Sequence, residues 1–360
     1  MRAAILTSVE DGKLELRDDV TALGPGPGEV RVRIRAAGVC HSDLSARVGT
    51  LPQPLPAVLG HEAAGDVLDV GDGVADLSPG DRVIVNWLPA CGSCGHCLRG
   101  EPYLCMAHVV FAYAQPRFLA GDDPVFGMAG CGAFAEEIVV PRAGVVPIAA
   151  DVPYEIAALV GCGVMTGVGA VINTARVSPG DTVAVIGCGG VGLAAIQGAR
   201  LAGAAAIVAI DPVEAKHEAA QRFGATHVTT PAGMSDLVAE VTGGEGADHV
   251  FDVVAGPQTL RSAWSATRRG GAIVVVGAGR ADEYVQFSPF ELLFEGKRIL
   301  PAFYGSGDAR RDFPRLLDLW RAGRLDLAGM ITQRLRLDDL DEALSALGRG
   351  DVIRQVILYD

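Results

Sequence analysis

The chain lacks an excess of basic residues: 30 lysines and arginines stand against 43 aspartates and glutamates, a formal net charge of -13. Nucleic-acid-binding domains usually present a basic face, so this balance argues against nucleic acid as a partner. Aromatic residues are also few, at 6%, although hydrophobic residues make up 49% of the chain. That composition is typical of a soluble globular protein with ample material for a core.

The sequence also lacks apolar runs of the kind that form signal peptides or membrane spans. Glu10 and Asp11 follow closely on the first apolar residues, so no apolar signal region forms. The runs at residues 161–170 and 182–205 are rich in glycine and alanine and interrupted, unlike a membrane span. We therefore expect a cytoplasmic protein with no membrane partner. In that reducing compartment, eight cysteines need a role other than a disulfide framework.

The length of 360 residues predicts two domains rather than one. The first 150 residues carry short valine- and isoleucine-rich runs separated by glycine and proline, which predicts a compact antiparallel or barrel-like β domain. These runs lie at residues 30–34, 65–70, 82–85 and 135–140.

The pattern changes near residue 178, where apolar strands begin to alternate with helical stretches. This alternation predicts a parallel, doubly wound sheet. The predicted strands lie at residues 182–186, 206–210, 227–229, 249–254 and 272–276, and helices at residues 193–202 and 213–223. The tail predicts amphipathic helices at residues 313–321 and 340–347 and a closing strand at residues 354–359.

A glycine-rich loop follows the first of the parallel strands and opens a helix. It reads Gly187-Cys188-Gly189-Gly190-Val191-Gly192, the pattern that binds a dinucleotide pyrophosphate at a helix N-terminus. Asp211 ends the next strand, about 20 residues on, where a carboxylate binds the adenosine ribose and repels the 2′-phosphate of NADP. The loop therefore predicts NAD. Lys216 can reach the same ribose; the alternatives are a helix cap for Asp211 and a solvated lysine for Lys216.

A second motif places four cysteines in one short loop, with the spacing C-x2-C-x2-C-x7-C. Its members are Cys91, Cys94, Cys97 and Cys105, called here the four-cysteine lobe. Four thiolates so close together predict a closed, tetrahedral structural zinc site. Disulfides and an iron–sulfur cluster are the alternatives. A reducing cytoplasm disfavours the first, and nothing else in the sequence suggests the redox partners that the second requires.

The remaining candidate ligands are far apart in the sequence. Cys40, His61 and Cys162 would leave a fourth metal position open, as a catalytic zinc site does. Spacing alone cannot pair Cys40 with Cys162, because buried structural cysteines are common. Both interpretations stay open at this point.

With these motifs the chain resembles the medium-chain, zinc-containing alcohol dehydrogenase family along essentially its whole length. The segments that carry the resemblance are Gly38 to Asp43, Gly60-His61-Glu62, the four-cysteine lobe, Gly161-Cys162-Gly163, Gly187 to Gly192 and Ile353-Arg354. The resemblance implies an α/β protein with a GroES-like, β-rich catalytic domain at residues 1–163 and 304–360. A Rossmann domain with a doubly wound parallel sheet would bind NAD at residues 164–303.

The resemblance also implies a role for individual residues. Cys40, His61 and Cys162 hold a catalytic zinc, and the four-cysteine lobe holds a structural one, which gives two zinc ions per chain. Ser42 takes the substrate proton, Asp43 orients the zinc-bound histidine, and Glu62 lies behind the metal. Thr166 contacts the nicotinamide, while His41 and Arg354 contact the pyrophosphate. Trp87, Met128, Ala278 and Phe303 line the substrate channel; ordinary core packing is the alternative for each of these four.

The family pattern is broken at Ser45, where many relatives carry the histidine that ends the proton relay. The substrate proton must then leave through another hydroxyl, through water or through His41. Residues 51–55 and 106–110 lack the acidic residue and the arginine that hold glutathione in one branch of the family, which argues against that substrate. The connection at residues 106–130 is fairly long, a feature of dimeric rather than tetrameric relatives, so a homodimer is expected.

Taken together, the sequence predicts a zinc-dependent enzyme that transfers a hydride between a medium-sized aliphatic or aromatic alcohol and NAD, reversibly with the aldehyde or ketone. Two alternatives remain: a nicotinoprotein that never releases its NAD, and a catalytically silent relative that keeps the zinc and NAD sites.

Overall fold

The computed structural model describes the backbone of all 360 residues and every side chain except those of residues 108, 109, 111 and 112. The chain divides into two compact units, Met1–Cys162 with Asp308–Asp360, and Gly163–Gly307. The sequence predicted domain limits at 163/164 and 303/304, and the compact units divide at 162/163 and 307/308.

The strands form three sheets, two in the first unit and one in the second. In chain order they are β1 Ala3–Leu6, β2 Leu14–Arg17, β3 Val20–Ala22, β4 Glu29–Val39, β5 Ala57–Val58, β6 Glu62–Val70, β7 Arg82–Val85, β8 Phe118–Ala120, β9 Asp123–Gly127, β10 Glu137–Pro141, β11 Val145–Pro147, β12 Thr182–Ile186, β13 Ala206–Ile210, β14 His227–Thr229, β15 Ala247–Asp252, β16 Thr267–Val275, β17 Arg298–Pro301, β18 Ile331–Leu335 and β19 Arg354–Leu358.

The helices connect and cover these sheets. They are α1 His41–Arg47, α2 Gly95–Leu98, α3 Ala107–Ala114, α4 Tyr154–Leu159, α5 Met165–Gly169, α6 Gly190–Ala202, α7 Ala215–Phe223, α8 Met234–Thr242, α9 Pro257–Ala266, α10 Pro289–Glu295, α11 Ala309–Arg321 and α12 Leu340–Arg349. The π-helical turn Val160–Val164 joins α4 to α5, and a second one, Ala170–Ala175, extends α5, so that the helical segment Tyr154–Ala175 is continuous.

In the first unit, β4 is the central strand. Its side chains alternate, with Val30, Val32 and Ile34 buried and the arginines between them turned outward, as a strand with one core face requires. It pairs with β6, β10 and β19, in a sheet ordered β11-β7-β6-β4-β19-β18. A second sheet has the order β2-β1-β5-β9-β8-β3. The predicted β-rich character of this part of the chain is confirmed.

The second unit is a six-stranded parallel sheet in the order β14-β13-β12-β15-β16-β17, the doubly wound arrangement predicted from the sequence. The strand order reverses next to β12, which is where such sheets bind ligands at their carboxyl ends. β17 has no counterpart among the strands predicted from the sequence. Most of its residues are exposed and a proline ends it, so it shows none of the apolar pattern that marked the other strands.

The helical segment Tyr154–Ala175 is long and apolar enough to cross a membrane on composition alone. However, 83% of its most apolar stretch is buried inside the structure, as in a core helix. It therefore gives only weak support for a membrane span.

Candidate functional site

The four thiols of the four-cysteine lobe converge on one point. The Sγ of Cys94 lies 3.5 Å from that of Cys97 and 3.9 Å from that of Cys105. Zinc–sulfur bonds of about 2.3 Å in a tetrahedron place the sulfurs about 3.8 Å apart. None of the eight cysteines forms a disulfide, which would need sulfurs at about 2.05 Å. The lobe therefore has the size of a single tetrahedral ion.

Backbone N–H groups donate hydrogen bonds to two of the sulfurs in this lobe. The amide of Cys94 donates to Cys91 Sγ, and the amide of Cys91 donates to Cys105 Sγ, both at 3.3 Å. Hydrogen bonds from the Ser93 backbone and hydroxyl lower the pKa of the Cys91 thiol to about 6. Burial and its thiol neighbours raise the pKa of Cys97 to about 12. The four thiols therefore do not all lose their protons at neutral pH without a cation. A zinc ion binds thiolates and would favour the deprotonated form of all four.

A second ligand cluster joins three distant parts of the first unit. Cys40, His61, Glu62 and Cys162 are all buried, and their ligand atoms lie within 4.8 Å of one another. Cys40 lies between β4 and α1, while His61 immediately precedes β6 and Glu62 begins it. Cys162 lies in the π-helical turn Val160–Val164, a helix irregularity frequent at functional sites. The fold thus brings together the cysteines that spacing alone could not pair.

Asp43 holds two of these ligands in place. Its Oδ1 lies 3.0 Å from His61 Nδ1, and its Oδ2 accepts the backbone N–H of Cys40 at 2.8 Å. This contact occupies Nδ1 and leaves His61 Nε2 for a metal. Although burial alone would lower it, the Asp43 carboxylate raises the pKa of His61 to about 10. The hydrogen bond with Cys162 and the contact with His61 hold the pKa of Cys40 well below its usual value.

Glu62 and Arg354 form a buried ion pair beside this cluster. Arg354 is only 4% exposed, and its Nη2 donates to Glu62 Oε2. The other carboxylate oxygen, Oε1, is buried and has no hydrogen-bond partner among the described residues. A buried oxygen of this kind beside two thiols and an imidazole fits a site built for a cation. The predicted contact of Arg354 with a pyrophosphate stays a prediction.

The other predicted residues of the first unit lie around this cluster or in the core. The ring of Trp87 meets His61 edge to face, with centroids 6.0 Å apart. His41 is exposed and Ser42 half-buried in the first turn of α1. Met128 is buried in the main hydrophobic core of this unit, which favours core packing at that position.

In the second unit, the glycine loop joins β12 to α6. Gly187 has φ +98°, which favours glycine, and a Cβ at Gly192 would overlap the Gly187 carbonyl. A Cβ at Gly189, by contrast, would meet no atom within 4 Å. Gly190 and Val191 begin α6, so the loop leaves open space at a helix N-terminus, where a pyrophosphate binds.

Asp211 lies next to this loop, buried at the end of β13. Its Oδ2 accepts the Cys188 N–H at 2.7 Å, and its Oδ1 accepts the Val213 N–H at 2.9 Å. The carboxylate is therefore fixed beside the loop, and Lys216 stands in α7 just beyond it. A residue that was not predicted, His217, also lies here, with its Nε2 2.9 Å from the Asp211 carbonyl oxygen. No sequence signal separates it from an ordinary helix residue.

Three further predicted residues belong to the second unit. Thr166 is half-buried in α5, Ala278 is exposed after β16, and Phe303 is 46% exposed after β17. Their roles toward a nicotinamide or a substrate stay predictions.

Comparisons with known proteins bear on both units. A family profile described as "Alcohol dehydrogenase GroES-like domain" matches residues 26–150, and one described as "Zinc-binding dehydrogenase" matches residues 190–322. The first covers the β-rich part that holds both cysteine clusters, apart from Cys162. The second covers most of the parallel sheet.

Whole-length relatives are also found. The chain is 36% identical over 377 residues to the S-(hydroxymethyl)glutathione dehydrogenase of Paracoccus denitrificans, with 100% of each chain covered. It is 37% identical over 369 residues to the geraniol dehydrogenase of Castellaniella defragrans, covering 99% of this chain and 97% of the relative. The crystal structure of benzyl alcohol dehydrogenase from Acinetobacter calcoaceticus superimposes with a TM-score of 0.91 at 30% identity, covering 100% of this chain and 99% of that one.

Proposed function

The chain belongs to the medium-chain, zinc-dependent alcohol dehydrogenase family, and we propose that Cys40, His61 and Cys162 hold the zinc at which it oxidises an alcohol with NAD. The enzyme is an NAD-dependent zinc oxidoreductase. The observation that carries the ligand assignment is the buried convergence of these three side chains, with Asp43 fixing the imidazole. The four-cysteine lobe would hold a second, structural zinc ion.

The side chains around the cluster suit proton transfer from an alcohol. A zinc ion in this site supplies Lewis acidity, which lowers the pKa of an alcohol hydroxyl. Ser42 stands two residues after Cys40 in the first turn of α1, where its Oγ can take the hydroxyl proton and pass it outward. Asp43 keeps His61 in one tautomer and orientation. Glu62, neutralised by Arg354, supports the metal from behind.

The second unit would position the cofactor. NAD supplies the hydride acceptor when bound. The open space at Gly189 and the free amides at the start of α6 would receive the pyrophosphate, with His41 as a further contact. Asp211, fixed by two backbone amides, would bind the adenosine ribose hydroxyls and repel the 2′-phosphate of NADP. Thr166 would contact the nicotinamide.

The proposed substrates are medium-sized aliphatic or aromatic alcohols, with Trp87, Ala278 and Phe303 as the lining. Trp87 next to His61 supports an apolar environment at the metal. Relatives named for geraniol and benzyl alcohol support the same class. The relative named for S-(hydroxymethyl)glutathione provides the competing substrate.

An NAD-coupled assay of the zinc-loaded enzyme with benzyl alcohol, geraniol and S-(hydroxymethyl)glutathione tests this choice. We expect kcat/KM for the apolar alcohols to exceed that for the glutathione adduct by about tenfold or more. The reverse order would assign the enzyme to the glutathione-dependent branch. Activity with none of them, or with the matching aldehydes, would favour the catalytically silent relative.

A permanently bound cofactor is the other alternative. It predicts stoichiometric NAD in the purified protein, visible as an added mass in native mass spectrometry and as NADH absorbance after alcohol is added. An exchangeable cofactor predicts a protein that needs added NAD for turnover.

We further propose a homodimer. In the second unit, α10 exposes large apolar side chains, with Phe290 70% and Leu293 77% exposed. The adjacent β17 is an edge strand of the sheet, so its outer backbone groups are available for pairing with a second copy about a twofold axis. Light scattering should give twice the chain mass of 37.2 kDa. Leu293→Glu should yield the monomer. Leu98→Glu changes an equally exposed leucine in the four-cysteine lobe and should leave the dimer intact. A monomeric parent protein would contradict the proposal.

The proposed location is the cytoplasm, since a site built from reduced thiolates suits a reducing compartment.

A further inference from the structure

Thr166 is the half-exposed residue in a helical stretch, residues 163–171, whose other members are all buried. Successive side chains of a helix point in directions about 100° apart. The direction of the Thr166 hydroxyl is therefore fixed only if the helix cannot rotate about its own axis. Thr166 lies between Met165 and Gly167, so contacts on the faces of those two residues decide where it points.

The Gly167 face packs against α6, the helix that follows the glycine loop. A Cβ at Gly167 would overlap the Val191 carbonyl and lie 2.6 Å from Ala194 Cβ. A Cβ at Gly198, further along α6, would lie 3.2 Å from Val168 Cα. The two helices therefore approach backbone to backbone, and this approach fixes one side of α5.

The opposite face packs against the turn Phe303–Ser306. Met165, Gly169 and Asn173 follow each other at steps of four residues, so they share a face of the helical segment. A Cβ at Gly169 would lie 2.6 Å from the Gly305 carbonyl oxygen, and one at Gly305 would overlap the Met165 carbonyl. Asn173 Nδ2 donates to the Gly305 carbonyl at 3.1 Å, and Thr174 Oγ1 donates to Ser306 Oγ at 2.8 Å.

This turn has an uncommon backbone. Tyr304, Gly305 and Ser306 have φ values of +50°, +65° and +49°, the left-handed region that side chains other than glycine rarely adopt. Tyr304 is nevertheless only 3% exposed. Such conformations persist where the surrounding contacts over-determine them, and they concentrate at ligand clamps.

We infer that Asn173, Thr174 and Ser306 are positioning residues for the nicotinamide end of NAD: they fasten the left-handed turn to the helical segment and so aim the Thr166 hydroxyl. The inference rests on the proposed role of Thr166. It assigns a part in cofactor geometry to three side chains whose hydrogen bonds join the helical segment to the turn Phe303–Ser306.

The test compares two ligands that differ only at the end in question. NADH carries the nicotinamide, and ADP-ribose carries the same adenosine and pyrophosphate without it. Thr174→Val removes the hydroxyl at nearly constant size, a loss of one hydrogen bond that should raise the NADH dissociation constant about fivefold to tenfold. The ADP-ribose constant should stay within about twofold, and Thr174→Ser, which keeps the hydroxyl, should restore NADH binding.

The matched control is Thr267→Val, which removes a buried threonine hydroxyl elsewhere in the same unit, one that donates to the Ala263 carbonyl at 2.7 Å. In this control variant the dissociation constants of NADH and ADP-ribose should change by the same factor, if they change at all. If Thr174→Val does not fold, Ser306→Gly removes the partner hydroxyl while suiting the left-handed backbone, and it should show the same split. Equal effects on both ligands, or none on NADH, would overturn the inference.

A parent protein that binds NADH but oxidises no alcohol would instead overturn the proposed function, and the two-ligand comparison would still decide the positioning role. Failure of the parent protein to bind NADH would overturn both.

Discussion

Asp43 has no exposed surface, and its two carboxylate oxygens contact different ligand residues, His61 through Oδ1 and the Cys40 amide through Oδ2. Burial raises the pKa of this carboxyl, and the contact with His61 opposes that rise. One side chain thus aligns two metal ligands that come from different elements, α1 and the start of β6.

The first prediction concerns this residue. Asp43→Asn keeps the size but loses the charge behind His61, and it should lower zinc affinity or kcat by about 10-fold to 100-fold. Zinc retention in a chelator titration and NAD-coupled activity measure the two effects. Asp76→Asn, which removes an exposed carboxylate paired with Arg142, is the control and should change neither. Unchanged zinc retention and activity in Asp43→Asn would remove Asp43 from the site.

The second prediction concerns the proton exit at Ser45. Ser45 is half-buried in α1, and its carbonyl accepts the Leu51 N–H at 3.0 Å. Ser45→His should add an ionising group with a pKa near the ordinary value of about 6.5, and so alter the pH dependence of kcat. Ser45→Ala should keep the parent profile. A Ser45→His profile that matches the parent would refute a relay role for this position.

At the scale of elements, the loop between β12 and α6 supports a sharp comparison between two glycines. A Cβ at Gly192 would overlap the Gly187 carbonyl, so Gly192→Ala should destabilise the fold by about 1–3 kcal/mol. A Cβ at Gly189 meets only open space, so Gly189→Ala should change stability by less than about 0.5 kcal/mol. If the pyrophosphate occupies that space, Gly189→Ala should still weaken NAD binding about tenfold or more.

Thermal unfolding and NADH titration of the two variants check this third prediction. A Gly189→Ala protein that binds NADH as the parent does would place the cofactor elsewhere.

The elements also show which parts of the fold the sequence could predict. The parallel strands β12, β13 and β14 have the predicted bounds. β12 and β13 are largely buried and form continuous apolar runs between turn residues, whereas β14 is short and half-buried. The helix after the glycine loop begins at Gly190 rather than at residue 193, since its first turn is made of glycine and valine. The edge strand β17 could not be found, because exposed residues carry no core pattern.

The metal site was less predictable than the strands. The four-cysteine lobe lies within one loop, so its spacing alone predicted a common site. Cys162 joins Cys40 and His61 only because the π-helical turn and the start of β6 meet in the folded unit, and sequence spacing has no signal for such a contact. The resemblance to a family supplied that pairing. The turn Phe303–Ser306 was not predicted, since no sequence pattern marks a tyrosine or a serine with a left-handed backbone conformation.

At the scale of the whole molecule, two buried thiols outside the clusters link stability to pH. Burial raises the pKa of Cys131 and of Cys188 to about 12, from an ordinary value of 9.0. Above that ordinary value the unfolded chain loses protons that the folded chain keeps, so the free energy of unfolding should fall as pH rises. The slope should approach about 1.4 kcal/mol per pH unit for each thiol above pH 9.0, and it should vanish about one pH unit below that value.

Denaturant unfolding between pH 8 and pH 11 tests this fourth prediction. Cys131→Ala should show a shallower alkaline decline than the parent protein, by the contribution of one thiol. Parallel curves for the two proteins would contradict the assignment.

The two cysteine clusters are assigned different roles, one catalytic and one structural, and metal content measured together with activity tests this assignment directly. The zinc-loaded parent should carry two zinc ions per chain. Cys162→Ala should fold, keep one zinc and lose NAD-dependent alcohol oxidation, while Cys97→Ala should lose the other zinc together with stability, and Cys131→Ala should keep both ions. A parent with one zinc per chain, or a Cys162→Ala protein with full zinc and full activity, would contradict the account.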